Sequence, residues 1–254
     1  MRAVELEGRD CRLRFHDLDG AGVPLLFVHG LGCAGSYDYP AVAASPALAD
    51  RRRLLVDLLG SGFSDRPPDF PYTVDAHADT LRALIDALSL TSVDVYGHSM
   101  GGAAAIALAA LPGDRVRRLV LSEPNLEPGG GTCSRAIARY GEEEYAERGQ
   151  RRIAQEAARA GDRVWAACLE RSFPRAMHRA AVSLVEGSDP TWRELLVGLR
   201  MPRTVIFGAR SLPDPDAERL KDLGVAVRVV PDCGHAMAWE NPAGLAAAIR
   251  ASLV

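Results

Sequence analysis

Six short runs of this chain are apolar almost without interruption. They are Leu25-Leu26-Phe27-Val28, Leu54-Leu55-Val56, Val93-Asp94-Val95-Tyr96, Leu119-Val120-Leu121, Thr204-Val205-Ile206-Phe207 and Val225-Ala226-Val227-Arg228-Val229. A strand with one face in water alternates apolar and polar residues, whereas a strand covered on both faces need not. The runs therefore predict a mostly parallel sheet with helices on both sides. Leu81, Leu84, Ile85 and Leu88 fall at i, i+3, i+4 and i+7, the apolar stripe of one such helix. Strands alternating with helices specify an α/β class. The segments Val4 to Leu6 and Arg12 to Phe15 alternate instead, and are expected to form an antiparallel hairpin at the sheet edge.

From about Asn125 to Leu199 the strand pattern stops, and Ser134 to Ala160 is rich in Arg, Glu and Ala, residues compatible with helix. The expected organisation is a core of residues 1–124 and 200–254, interrupted by a helical cap over residues 125–199. Pro128-Gly129-Gly130-Gly131 at the cap entrance can turn the chain away from the sheet. A chain of 254 residues is long enough for one catalytic domain.

Thirty basic against thirty-three acidic residues give a net charge of -3, which offers no global attraction to nucleic acid or anionic membranes. The runs Arg51-Arg52-Arg53 and Arg151-Arg152 are short and read as solvated faces. Met1-Arg2-Ala3-Val4-Glu5 carries charges where a signal peptide needs an apolar core, and no apolar stretch reaches membrane-spanning length. Five cysteines form no CxxC pair and leave one out of any disulfide scheme. A cytoplasmic protein with reduced thiols is expected. No His-Cys cluster has zinc spacing, and neither HExxH nor GxxxxGK[ST] occurs. Neither a cofactor nor a metal is implied, and the partner expected is a small-molecule substrate; the oligomeric state is not legible.

Three motifs carry chemistry. Gly97-His98-Ser99-Met100-Gly101-Gly102 follows the run ending at Tyr96 and opens an Ala-rich helix, the strand, elbow and helix context that a GxSxG nucleophile requires. Small neighbours permit a tight turn that lifts the Ser99 hydroxyl from the sheet, while the helix N-terminus supplies free N–H groups. Val28-His29-Gly30-Leu31-Gly32 ends an earlier buried strand, where the next loop brings a backbone N–H to face the elbow. The main-chain N–H groups of Leu31 and Met100 are thus the candidate oxyanion donors, and both side chains are expected to line the pocket. Pro231-Asp232-Cys233-Gly234-His235 follows the last run and puts His235 at the carboxyl edge of the sheet, as candidate general base. His29 reads as a loop-ordering residue and His98 as packing for the elbow, while His16, His77 and His178 read as surface or packing residues.

In this order, the histidine-glycine pair His29-Gly30, the run Asp57-Leu58-Leu59-Gly60-Ser61-Gly62-Phe63-Ser64, the elbow around Ser99 and Gly234-His235 resemble the α/β-hydrolase superfamily, over nearly the whole chain outside the cap. The resemblance implies an eight-stranded sheet, a lid over the pocket and a Ser, acid, His order along the chain. A serine at the elbow sets the chain apart from the aspartate-nucleophile branches, haloalkane dehalogenases and epoxide hydrolases. The common pattern puts the acid just after the strand Thr204 to Phe207, yet Gly208-Ala209-Arg210 is followed there by Ser211. Glu123 is the favoured acid: it follows the run Leu119 to Leu121 at the carboxyl edge, where an acid facing solvent has no packing role, and Ser122-Glu123-Pro124-Asn125-Leu126 resembles branches that carry their acid after this strand. Asp214 and Asp216 are the alternatives, within a proline-rich turn where either can cap the next helix.

The expected function is hydrolysis of a carboxylic ester, lactone or thioester by Ser99, His235 and Glu123 through an acyl-enzyme. The same residues also serve lyases, cofactor-free perhydrolases or ligand receptors, because fold does not fix function. Trp165, Phe173, Met177 and Trp192 of the cap can line a pocket, although such residues in a helical insert more often serve packing.

Overall fold

The computed structural model describes residues 1–113 and 115–254. Its strands are β1 (Arg2–Leu6), β2 (Cys11–Leu18), β3 (Ala21–Val28), β4 (Arg51–Asp57), β5 (Val93–His98), β6 (Val116–Ser122), β7 (Arg203–Gly208) and β8 (Ala226–Val230). They form one eight-stranded sheet in the order β1-β2-β4-β3-β5-β6-β7-β8. β2 pairs antiparallel with β1 and with β4, and every other pairing is parallel.

The uninterrupted apolar runs have a direct cause. Alternate residues of one strand feed two separate cores, with Leu26 and Val28 on one face of β3 and Leu25 and Phe27 on the other. Each such side chain, fully withdrawn from water, contributes about 1.5–3 kcal/mol of transfer free energy. On the first face lie α1 (Val74–Ala87) and α2 (Met100–Ala110). α1 starts where the Thr73 hydroxyl accepts the Ala76 N–H, and it buries Leu81, Leu84 and Ile85.

Between β6 and β7 stand five helices of seven residues or more, α3 (Thr132–Ala138), α4 (Gln150–Arg159), α5 (Arg163–Arg171), α6 (Pro174–Glu186) and α7 (Trp192–Gly198), with two shorter helical segments, Glu142–Glu144 and Tyr145–Gly149, leading into α4. The chain enters them through Gly129 and Gly130, whose φ of 102° and 59° suit glycine. These helices are stitched to the core by polar bonds. The Ser183 hydroxyl accepts the Val74 N–H at 3.1 Å, and Arg179 donates to the Pro68 and Phe70 carbonyls. After β7 come α8 (Pro215–Asp222) and α9 (Pro242–Ser252), and α9 covers the second face with Leu245 and Ile249. Among the described residues no helix is long and apolar enough to cross a membrane.

Two expectations need correction. β8 is an edge strand, not a strand covered on both faces, and Val229 is half exposed. The run Arg51-Arg52-Arg53 is no solvated face: Arg51 pairs with buried Asp94, Arg52 with Asp17, and buried Arg53 donates to the Ala43 and Asp19 carbonyls. Side chains alternate sides from the first residue of β4 onward, so neighbouring arginines meet different partners.

Candidate active site

β5 ends at His98, and α2 begins at Met100. The residue between them, Ser99, has φ 53° and ψ −120°, a conformation a non-glycine residue holds only when its surroundings dictate it. Those surroundings are close-packed. A Cβ on Gly97 would lie 2.5 Å from the Gly101 carbonyl oxygen, and one on Gly101 would lie 2.3 Å from that of His29. Only glycine allows α2 to sit against the ends of β5 and β3.

The loop after β3 faces the elbow as the sequence predicts. A Cβ on Gly30 would stand 3.3 Å from the Ser99 Cβ. Among the described residues neither the Leu31 nor the Met100 N–H donates to another group of the chain. Buried His29 orders this loop: Nδ1 donates to the Gly30 carbonyl at 2.8 Å, and Nε2 accepts the Leu58 N–H at 3.0 Å. Burial lowers its pKa, which keeps the ring neutral and this tautomer in place.

His235 lies on the loop after β8. Its Nδ1 donates to Glu123 Oε2 at 2.7 Å, which leaves the Nε2 lone pair free to accept a proton. Glu123 ends β6 with φ 39°, and its other oxygen accepts the Gly208 N–H at 2.9 Å. Burial pushes the Glu123 pKa up, but the bonds from His235 and Gly208, the electrostatic attraction of the nearby imidazole and the Ser211 hydroxyl together outweigh it and hold the carboxyl below the usual range. The His235 loop is itself held, because the Gly234 N–H donates to Glu240 at 2.6 Å and the Cys233 carbonyl accepts the Arg210 N–H at 2.8 Å. Among the described residues no hydrogen bond joins the Ser99 hydroxyl to His235, and catalytic bonds of this kind commonly tighten only once substrate is bound.

Asp214 and Asp216 do other work. Asp214 accepts the Asp216 N–H at 2.8 Å as the cap of α8, and Asp216 pairs with Arg193 at 2.8 Å. Glu123 differs from its description as an acid facing solvent, since its side chain is only 12% exposed. His98 does more than fill the elbow. Its Nδ1 meets the Ser122 hydroxyl at 2.9 Å, and its ring centroid lies 4.6 Å from that of His235. Burial and the neighbouring imidazole push its pKa down to about 3, so it stays uncharged beside His235.

Ser99, His235 and Glu123 open onto one cavity of ≈ 900 Å³. Leu31 lines it, but the Met100 side chain does not, because the first turn of α2 directs it into the core. Of the four large residues singled out between β6 and β7, Trp165 lines the cavity. Trp192 and Met177 are packed in the core and Phe173 against it. Sequence reasoning missed Asp38, a buried carboxyl on the cavity wall that accepts the Trp239 indole N–H at 3.1 Å. Burial raises its pKa against the opposing pull of His29, the Trp239 indole N–H and the nearby Cys33 thiol. It sits on a single helical turn, Gly35–Asp38, too short to leave a periodic signal. Among the described residues no three His, Cys, Asp or Glu side chains gather as metal ligands.

A family profile described as alpha/beta hydrolase fold matches residues 23–242. The chain belongs to this family. It is 40% identical over 125 residues to 2-hydroxymuconate semialdehyde hydrolase of Pseudomonas sp. (strain CF600), covering 46% of this chain and 41% of the relative. It is 35% identical over 130 residues to haloalkane dehalogenase 2 of Mycobacterium tuberculosis (strain ATCC 25618 / H37Rv), covering 50% and 44%. The match thus spans about two fifths of the length of these curated relatives. Over the whole chain, the structure of a thermophilic esterase from Thermogutta terrifontis superposes with a TM-score of 0.81 at 27% identity, covering 100% of this chain and 98% of that one. The α/β-hydrolase member described here is therefore similar to proteins that are hydrolases.

Proposed function

We propose that this α/β-hydrolase cleaves a carboxylic ester, lactone or thioester of a small molecule through Ser99, His235 and Glu123. The observation that carries the reading is the Glu123–His235 bond of 2.7 Å, which fixes the imidazole tautomer with Nε2 free, on the same cavity as the elbow serine. His235 Nε2 takes the Ser99 proton as the oxygen attacks the carbonyl carbon, and the Leu31 and Met100 N–H groups hold the oxyanion. The tetrahedral species collapses as His235 returns the proton to the leaving alcohol or thiol. Water then attacks the acyl-enzyme, again giving its proton to His235, and the acid and free Ser99 are released. Electrostatic stabilisation by such preorganised donors is commonly the largest contribution to rate.

The helices of residues 125–199 are the cap in this reading, closing the cavity from above and limiting the size of acyl or alcohol group. A cavity of ≈ 900 Å³ suits a small organic substrate. All five cysteines are unpaired, which agrees with a cytoplasmic enzyme.

The test is labelling by a serine-directed fluorophosphonate and turnover of p-nitrophenyl esters of graded acyl length. Wild type should label and turn over, and Ser99→Ala should do neither. Equal labelling of both proteins would sink the assignment.

A further inference from the structure

The loop that presents Leu31 is not held by the core alone. Helix α5, in the segment between β6 and β7, sends the Trp165 indole into the cavity, where its Nε1 donates to the Leu31 carbonyl oxygen at 2.8 Å. The contact depends on Gly32. That residue has φ 72°, and a Cβ there would lie 2.8 Å from Trp165 Nε1 and 3.2 Å from Leu169 Cδ1. A side chain at position 32 would therefore push the whole face of α5 away. Between the elbow and the indole, the loop is gripped on both sides, since a Cβ on Gly30 would meet His98 Cδ2 at 3.2 Å and Ser99 Cβ at 3.3 Å.

The geometry points to Trp165 as the positioning residue of the oxyanion hole: its indole N–H, delivered by the cap, fixes the Leu31 main chain so that the Leu31 N–H faces the carbonyl oxygen of an ester bound at Ser99. The inference rests on the proposed triad and oxyanion hole, and it adds that the hole is complete only when α5 is seated. The Leu31 carbonyl and the Leu31 N–H share one residue's φ and ψ. With the Gly30 side of the loop already packed against His98 and Ser99, pinning the carbonyl on the other side leaves the Leu31 N–H little room to swing out of line. Three other bonds keep α5 itself in place. Asp162 accepts the Trp165 N–H at 3.2 Å, and Gln150 donates to the Leu169 and Ser172 carbonyls just past the helix middle and end, at 2.6 Å and 3.0 Å.

A donor displaced by about 1 Å can cost about 100-fold in rate, while the substrate's ground state, which carries no oxyanion, is bound much as before. Trp165→Phe keeps an aromatic ring and deletes the donor. It should lower kcat for a p-nitrophenyl ester by about 10- to 100-fold with KM within about twofold, and should weaken a boronic acid that mimics the tetrahedral anion by the same factor. Leu169→Val, which shaves one methylene from the packing over Gly32 while leaving α5 seated and the Trp165 hydrogen bond made, should keep kcat and lose only thermal stability. Trp165→His, which retains a ring N–H, should recover part of the loss. Trp165→Met takes the place of the phenylalanine variant should that protein not fold. If Trp165→Phe keeps full kcat and full boronic acid affinity, or if Leu169→Val loses as much kcat, the inference is overturned. Ser99→Ala run alongside separates the two levels: turnover surviving there would overturn the triad itself, whereas a dead Ser99→Ala with an unimpaired Trp165→Phe overturns the positioning role alone.

Discussion

Replacing Glu123 by Gln tests the core of the proposed mechanism with little change of shape. In the wild type, one carboxylate oxygen accepts from His235 Nδ1 at 2.7 Å and the other from the Gly208 N–H at 2.9 Å. The Gln amide has one oxygen for these two donors. If the oxygen stays on Gly208, the NH2 group faces His235 Nδ1, which must then give up its proton and accept. The imidazole proton moves to Nε2, the atom that has to take the proton of Ser99, and the base is lost. An asparagine placed at the equivalent point of a well-studied serine protease lowered kcat about 10,000-fold through this tautomer change. The same loss expected here corresponds to about 5.5 kcal/mol of transition-state stabilisation. Stability should change far less. One charge-assisted bond becomes neutral, a difference of roughly 1 kcal/mol, or about 2–4 °C in Tm for a chain of this size. The assay is kcat on a p-nitrophenyl ester near neutral pH, with circular dichroism and thermal melts on the same preparations. Asp214→Asn and Asp216→Asn should stay within a few-fold of wild type, because Asp214 serves as a helix cap and Asp216 as an arginine partner. A Glu123→Gln protein that is folded and within tenfold of wild type would refute the reasoning, as would a larger loss in either aspartate variant.

Gly30→Ala should cut kcat by about 10- to 100-fold with nearly unchanged Tm, since the added methyl would meet His98 Cδ2 at 3.2 Å and Ser99 Cβ at 3.3 Å; a variant within twofold of wild type in a p-nitrophenyl ester assay would contradict this. Burial holds His77 and His98 at a pKa of about 3 in the folded protein, below their unfolded value, so the unfolded chain binds more protons as pH falls, and stability should drop by about 1.4 kcal/mol per pH unit for each between roughly pH 6 and pH 4. His77→Leu should remove one of those two shares in urea titrations across that range without loss at pH 7, its buried Nδ1 having no hydrogen-bond partner among the described residues; an unchanged pH slope would count against the assignment.

The sheet was legible because covering both faces leaves strands such as Leu25 to Val28 with no polar positions, a pattern that needs no long-range information. The elbow was legible for a similar reason, since the close approaches at Gly97 and Gly101 admit no side chain and so leave glycines in the sequence. Edge status was not legible: Val225 to Val229 is as apolar as a central strand, and only its place beyond β7 exposes it. The direction of Met100 could not be read either, because a side chain at the first helical position can face the cavity or the core, and helix α2 packing decides. Asp38 and Trp165 reach the cavity through the chain's return from distant elements, and their partners lie far away in sequence, at Trp239 and Leu31.

In the proposed mechanism the position of the acid follows from the sheet's register. β5 and β6 run parallel with His98 beside Ser122, so Ser99 and Glu123 leave the sheet at the same level. Both do so with positive φ, 53° and 39°, and each turn is anchored on the next strand, the Ser99 N–H on the Ser122 carbonyl and the Glu123 N–H on that of Ile206. From there the Glu123 side chain must cross the end of β7 to reach the His235 loop after β8. The crossing is open because β7 ends in Gly208, where even a Cβ would come within 2.5 Å of the Gly234 carbonyl oxygen, and whose N–H instead donates to the passing carboxylate. An aspartate at 123 is one methylene shorter and could not hold both Gly208 and His235 from the same backbone. The serine at 211 stands where the common pattern carries an acid, and its hydroxyl helps to hold the Glu123 carboxyl below the usual range. An acid restored at 211 would put two carboxylates on one imidazole, and their mutual repulsion would raise the pKa of one of them. The proposed acid at 123 and the serine at 211 are thus one arrangement.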